Sequence, residues 1–406
     1  MKLQRATLLA ILTRFFTLVN IFGMLLLQLH FLGLEGQGKM AWVSSTIVLF
    51  TQYSQWVGGG ALAFLSTREK TKNLFFSTLI WIAIGEFVFL SVIPFILDKP
   101  FTLIEWLMIL LLCSFQALFT VFQNILLGKN QTIQYHISIC IQTISTFLLT
   151  WFALYFNPCI QSVLGAMILS FLLTVAYSGW ATRKDWKSFE TSHWKEKLVQ
   201  LLQHGKYVQG ANTLLLILVR MPIYVFPFIS SGQFKDAGIY AMLLYLSEGI
   251  LLFTKSFSVL QFAKICNTTD HKTAWQITLA YIKKSIVVSS LFSLIWIVFP
   301  MYLIEPYIPA PLTMIQKISY FLIPGIFLQS ISIIVLHLFS GTGNFKFNFH
   351  NAIITFLSGS ICYIAMIKTN QSPLMASVVS LCLAWTAQWI TYMLLIHRWK
   401  KLEKIQ

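Results

Sequence analysis

The chain has 406 residues, of which 57% are hydrophobic and only 10% charged, with a mean hydropathy of +0.74. Soluble domains carry about 25% charged residues, so an ordinary soluble fold is excluded. A formal charge of +16 would suggest nucleic acid in a soluble chain; here the cations sit between apolar runs, where they report topology and an anionic leaflet, and no nucleic-acid partner is expected.

A helix needs about 20 apolar residues to cross ~30 Å of hydrocarbon. That window predicts spans at 8–32, 41–65, 74–97, 103–127, 132–156 and 160–180. The first run, about 25 residues long, exceeds a signal-peptide core, and no small-residue cleavage site follows it, so it reads as a membrane helix. Next comes the longest polar stretch, 181–207, with Arg183, Lys184, Lys187, Lys195, Lys197 and Lys206 against Asp185, Glu190 and Glu196. It reads as a basic linker between two halves. Trp186, Phe189, Trp194, Leu198, Leu201 and Leu202 fit one side of a helix in the headgroup plane; a solvated tether fits as well. Spans at 208–229, 238–263, 285–304, 318–339, 351–367 and 374–396 follow. The expectation is an all-α polytopic membrane protein of about 12 transmembrane helices in two pseudo-symmetric six-helix lobes. Residues 1–182 form one lobe, 183–206 a cytoplasmic linker and 207–406 the other.

The cations fix the orientation. Only Lys39, Lys99, Lys235, Lys317 and Lys368 fall in outer loops, and only Arg14, Arg220 and Lys255 within spans; all others lie on one face. The positive-inside bias makes that face cytoplasmic and places both termini there. Outer loops are short, the longest being 305–317 with Pro306, Pro309 and Pro311. Envelope glycosyltransferases, ligases and polymerases use a large outer catalytic loop. No nucleotide-binding loop, nucleophile elbow or paired-carboxylate motif is present either, so no enzyme is expected. Cys113, Cys140, Cys159, Cys266, Cys362 and Cys382 are scattered without CxxC spacing, and His30, His136, His337 and His350 lack ligand spacing; no metal or cofactor is expected.

An even number of spans per half makes any internal repeat parallel. Ile11-Leu12-Thr13-Arg14 matches Ile217-Leu218-Val219-Arg220, and Gly38-Lys39-Met40-Ala41 matches Gly238-Ile239-Tyr240-Ala241. Leu127-Gly128-Lys129-Asn130, reaching His136, matches Ser340-Gly341-Thr342-Gly343-Asn344, reaching His350.

An intramembrane cation costs about 2.5–3.5 kcal/mol at a helix centre and needs water or an anion. Arg14 and Arg220 stand on matching helices, where they would face each other between the halves. With Lys255 they form a candidate cationic cavity for a phosphate-bearing substrate, because guanidinium holds phosphate oxygens bidentately and lysine acts as a point charge. Snorkelling of Arg14 and Lys255 toward headgroups is the alternative. Glu248, seven residues before Lys255 and on nearly the same helix face, is a candidate counter-ion or H+ or Na+ coupling site. Glu86 is a second candidate of that kind, or a protonated carboxyl bonded to a neighbouring helix. Gln52, Tyr53, Ser54 and Gln55, ahead of Gly58-Gly59-Gly60, suit sugar hydroxyls or helix–helix hydrogen bonds, with Gln55 a candidate substrate contact and the glycines suited to close packing. Pro222 and Pro227 should kink the seventh span.

These features resemble the MOP superfamily of exporters, and more narrowly the Wzx-type flippases for lipid-linked oligosaccharides. The likeness rests on the Arg14 helix, the Leu32-Gly33-Leu34-Glu35-Gly36-Gln37-Gly38 turn, the Gly-rich end of the second span and Leu127-Gly128-Lys129-Asn130. Leu201-Leu202-Gln203-His204-Gly205 and Ser231-Gly232…Ala237-Gly238-Ile239-Tyr240 add to it. The chain departs from the family at Gly205-Lys206-Tyr207, where members often carry Gly-Leu-Pro. The resemblance implies two lobes around a central cavity in a bacterial inner membrane, worked by alternating access. It implies a lipid-linked oligosaccharide substrate, an undecaprenyl-diphosphate carrying an O-antigen, capsule or exopolysaccharide repeat unit, with Arg14, Arg220 and Lys255 as contacts. Anionic lipids and a polysaccharide polymerase or ligase are the implied partners. Peptidoglycan-precursor flippases have two extra helices. The alternative is a MATE-like ion-coupled exporter of small amphipathic solutes, which Glu86 and Glu248 keep open.

Overall fold

The structure, a computed structural model, describes residues 2–66, 71–96, 101–183, 193–229, 233–268, 270–303 and 312–403. The middle of the basic linker, most of the proline-bearing loop at 305–317, and Ser231 and Gly232 lie outside the described residues. The regular elements described are all helices: α1 (Lys2–Gly58), α2 (Gly60–Leu65), α3 (Thr71–Ile96), α4 (Leu103–Gly128), α5 (Thr132–Phe156) and α6 (Ile160–Thr182) in the first half. Then come α7 (Trp194–Ile229), α8 (Lys235–Cys266), α9 (His271–Leu303), α10 (Leu312–Gly341), α11 (Phe345–Lys368) and α12 (Pro373–Glu403). Ten helices are long and apolar enough to cross a membrane. Among them α1 supplies two arms, and α3 carries a further apolar run, Leu74–Phe89, which together give the twelve crossings expected.

The first two spans are joined differently from the expected seven-residue turn. α1 is 57 residues long, and Gly33 alone leaves helical geometry, at φ 66° and ψ −172°. That conformation is open essentially only to glycine, so one residue does the work of a loop. A Cβ at Gly33 would meet nothing within 4 Å, so backbone conformation rather than crowding requires glycine here. The second arm ends at Gly58, seven residues before the predicted end, and α2 is a separate short helix.

The chain clusters into two compact units, residues 1–209 and 210–406. In the first, α4 is the hub, touching α1, α2, α3, α5 and α6. In the second, α10 is the hub, touching α8, α9, α11 and α12. The pairs α1–α4, α3–α4, α4–α6 and α5–α6 thus recur as α8–α10, α9–α10, α10–α12 and α11–α12. The turns leaving the hubs match atom for atom. After α4, Lys129 N donates to Ile125 O, Asn130 N to Leu127 O and Gln131 N to Leu126 O, with Asn130 at φ 58°. After α10, Thr342 N donates to Leu338 O, Gly343 N to Ser340 O and Asn344 N to Phe339 O, with Gly343 at φ 78°. These are left-handed helix caps that satisfy the last carbonyls, and Asn and Gly are the residues that tolerate them. A repeat of helix order and turn geometry is therefore present within the two units.

Hydroxyls join the helices within each unit. Ser170 on α6 bonds Ser145 and Thr146 on α5 at 2.6 and 2.7 Å. On α8, Thr254 bonds Ser285 at 2.9 Å and Gln261 donates to Thr278 at 3.0 Å, while Ser289 bonds Ser330 of α10 at 2.8 Å. Small polar residues of this kind hold helices together where lipid offers no hydrophobic drive.

Residues 194–206, expected as linker, are the first turns of α7. Leu201 is fully buried, Ser77 donates to the Trp194 carbonyl at 2.9 Å, and a Cβ on Gly205 would stand 2.9 Å from Trp56 O. The run from Trp194 to His204 has no glycine or proline and is rich in Lys, Glu, Gln and Leu, all good helix formers, so the seventh span extends backward. It packs on the first unit rather than lying as a solvated tether.

Side chains cap the starts of α4 and α9. Thr102 and Glu105 form a reciprocal capping box on α4. Asp270 opens α9, accepting from Lys272 N at 3.1 Å, from Thr273 N at 2.8 Å and from the Thr273 hydroxyl. The Thr273 hydroxyl, then the two backbone N–H groups, hold the Asp270 carboxyl below the ordinary aspartate value. A depressed carboxylate stabilises the fold above its unfolded pKa, and that contribution disappears as pH falls through the folded value. Protection of the Lys272 and Thr273 amides, measured relative to their intrinsic exchange rates at each pH, is therefore expected to fall below about pH 4, and in Asp270→Ala at neutral pH. Exchange insensitive to both changes would remove the cap from this account.

Candidate functional site

Arg220 lies in the second half of α7 and is only 5% exposed. Its Nη2 donates to Glu248 Oε1 of α8 at 2.5 Å, and its guanidinium carbon stands 6.0 Å from the Tyr245 ring centroid. Its Nε is buried without a hydrogen-bond partner among the described residues. A buried guanidinium normally fills its donors, because each unmet one is costly in a medium without water. Beside it, Tyr240 donates to the Val219 carbonyl at 3.1 Å, next to the Leu218 carbonyl that Pro222 deprives of its helical donor. Helix α7 continues past Pro222 and Pro227 to Ile229. The arrangement is a partly neutralised cation with one donor open.

Lys255 lies in the second half of α8, a helix long and apolar enough to cross a membrane. The bonds Thr254–Ser285 and Gln261–Thr278 set an antiparallel register in which Lys255 is level with Lys284 and Ser258 with Tyr281. From Lys235, where α8 begins, Lys255 is about 30 Å along the axis, the whole thickness of the hydrocarbon layer. Its side chain is exposed. Lys255 keeps the helix face of Glu248.

The polar run of the second span is mostly occupied within the first unit. Gln52 donates to Gln209 Oε1 at 2.9 Å. Tyr53 OH donates to Trp81 O at 3.2 Å, Trp81 Nε1 returns a bond to Tyr53 O at 3.0 Å, and the two rings stack at 4.7 Å. Ser54 bonds the Thr51 carbonyl at 2.7 Å. Gln55 is half-buried, and its carbonyl accepts from Gly59 N at 3.0 Å, closing the helix end. The glycines serve packing: a Cβ on Gly58 would stand 2.8 Å from Val121, and one on Gly59 2.8 Å from Gln209 Nε2. Glu86 on α3 accepts a short hydrogen bond from Ser114 of α4. The Arg14 side chain lies outside the described residues, so α1 contributes only its backbone position.

The structure thus brings Arg220 and Glu248 together, leaves Lys255 exposed on the same α8 face, and shows Gln55 half-buried and Glu86 hydrogen-bonded to Ser114. Gln209, Trp81 and Ser114 were not singled out from sequence; their partners lie 28 residues or more away, at spacings that no periodicity encodes. Among the described residues, no group of three His, Cys, Asp or Glu gathers as a metal site.

Neither a protein-family profile nor a curated protein sequence matches the chain. Solved structures match its fold. An inward-facing multidrug resistance MATE family transporter of the MOP superfamily superposes with a TM-score of 0.74 at 12% identity, covering 97% of this chain and 96% of that one. The eukaryotic MATE transporter AtDTX14 gives 0.67 at 11% identity, covering 97% and 96%. The lipid II flippase MurJ, in an inward closed conformation, gives 0.68 at 15% identity, covering 97% of this chain and 87% of that one. At such identities the likeness establishes the fold: an all-α, multi-pass membrane architecture shared by these transporters and this flippase.

Proposed function

We propose that the protein is an exporter rather than an enzyme, and that it flips an undecaprenyl-diphosphate-linked oligosaccharide across a bacterial inner membrane by alternating access. The observation that carries the reading is Arg220. A guanidinium 5% exposed within a membrane helix, with Nε unfilled, is suited to take a diphosphate oxygen. Lys255, exposed on the α8 face of Glu248, supplies a point charge for a headgroup. The fold shared with a lipid-linked flippase supports the reading, as does the sequence resemblance to Wzx-type proteins. In this reading Arg14 adds a second guanidinium, and both chain ends are cytoplasmic.

A second reading is favoured by one observation. Glu248 already neutralises Arg220, so the site is less cationic than sequence implied, and a MATE-like exporter of small amphipathic solutes fits a paired site. Proteoliposomes separate the two. With a fluorescent polyprenyl-diphosphate oligosaccharide, the flippase reading predicts that the protein makes inner-leaflet label accessible to an impermeant quencher, while a cationic dye stays outside. Dye transport with no movement of the diphosphate lipid would reverse the assignment.

A further inference from the structure

We propose that the α8–α9 hairpin carries a docking site for an anionic phospholipid headgroup, built from Lys264, Lys284 and the ring of Tyr281. The ammonium of Lys264 stands 5.5 Å from the Tyr281 ring centroid and that of Lys284 5.2 Å from the same centroid. One aromatic ring thus gathers two exposed cations from different helices. Two like charges share one ring, and among the described residues neither lysine forms an ion pair, so the pair is suited to an external anion.

Depth selects the anion. In the register fixed by Thr254–Ser285 and Gln261–Thr278, Tyr281 is level with Ser258, about 35 Å along α8 from Lys235, a rise greater than the ~30 Å of a hydrocarbon core. Toward the membrane centre, α9 presents Val287 and Leu291, which are 67% and 56% exposed, and Phe292 stacks on Phe253 of α8 at 4.3 Å. An apolar surface ending in two cations matches acyl chains ending in a phosphate. On α8, Lys264 lies nine residues from Lys255, half a turn round the helix, so this face is not the one that carries Lys255 and Glu248. Assignment to the cytoplasmic leaflet rests on the orientation proposed above; headgroup binding itself does not depend on transport.

The test is native mass spectrometry of the full-length protein released from micelles containing equal phosphatidylglycerol and phosphatidylethanolamine. Wild type is expected to retain phosphatidylglycerol preferentially. Lys264→Gln/Lys284→Gln should lose about 25-fold of that preference, near five-fold per lysine. Lys264→Arg/Lys284→Arg should keep it. The same charge loss placed at Lys401 and Lys404 should leave it unchanged. The site is overturned if the double glutamine variant keeps its preference, if the tail variant loses as much, or if soluble glycerol phosphate displaces the lipid at equal concentration. Should the double variant fail to purify as a single species, Lys264→Gln and Lys284→Gln alone decide. A five-fold loss in each supports the site, and no loss removes it.

Discussion

Glu248→Ala is expected to destabilise the protein by about 3 kcal/mol, the lower end of the range for breaking a buried ion pair, because Glu248 is itself a third exposed. The penalty arises from what remains: a guanidinium 6% exposed in its side chain, with no carboxylate and with Nε already unfilled. Arg220→Leu/Glu248→Leu should recover most of that loss, since apolar replacement of a whole buried pair is often neutral or better. Transport should behave oppositely, with the double leucine variant folded and inactive. That contrast separates a pair kept for stability from a cation kept for substrate. Thermal unfolding in detergent reads the first quantity. If Glu248→Ala unfolds at the wild-type temperature, the pair does not hold α7 to α8 as described.

The second large effect is expected at the repeat-related glycines that end the hub helices. A Cβ on Gly128 would stand 2.4 Å from the Ala63 carbonyl oxygen, a backbone atom that cannot step aside. On Gly341 it would stand 2.7 Å from a methyl of Ile265 and 3.0 Å from its Cβ, a milder overlap, with a side chain rather than with a backbone carbonyl. Gly128→Ala should therefore cost about 1–3 kcal/mol and Gly341→Ala clearly less. Thermal unfolding of the two single variants checks the order. Equal losses would mean that α4 adjusts at its end as freely as α10 does.

Much of the fold was legible because membrane crossing imposes one strong rule on sequence. Apolar length and one-sided cations gave twelve crossings, and three short matches gave a repeat whose turns the backbone reproduces. The misread points share a cause. Gly33 replaces a loop through a backbone angle that hydropathy does not register. Residues 194–206 read either as a helix in the headgroup plane or as a solvated tether, because an amphipathic pattern does not say which surface the helix packs on. At the site, Arg220 and Glu248 were both visible as intramembrane charges. Their pairing joins positions 28 residues apart on successive helices, which fixed spacing cannot encode. The occupation of Gln52 by Gln209 and of Tyr53 by Trp81 was hidden for the same reason.

The most direct test of the central claim follows the lipid-linked glycan in cells lacking this gene and complemented with wild type or with Arg220→Leu/Glu248→Leu. The account predicts undecaprenyl-diphosphate glycan accumulating on the cytoplasmic face, cleared by wild type and not by the folded double variant. Clearance by the double variant would contradict the assignment of Arg220. No accumulation, with surface glycan unchanged, would contradict the flippase itself.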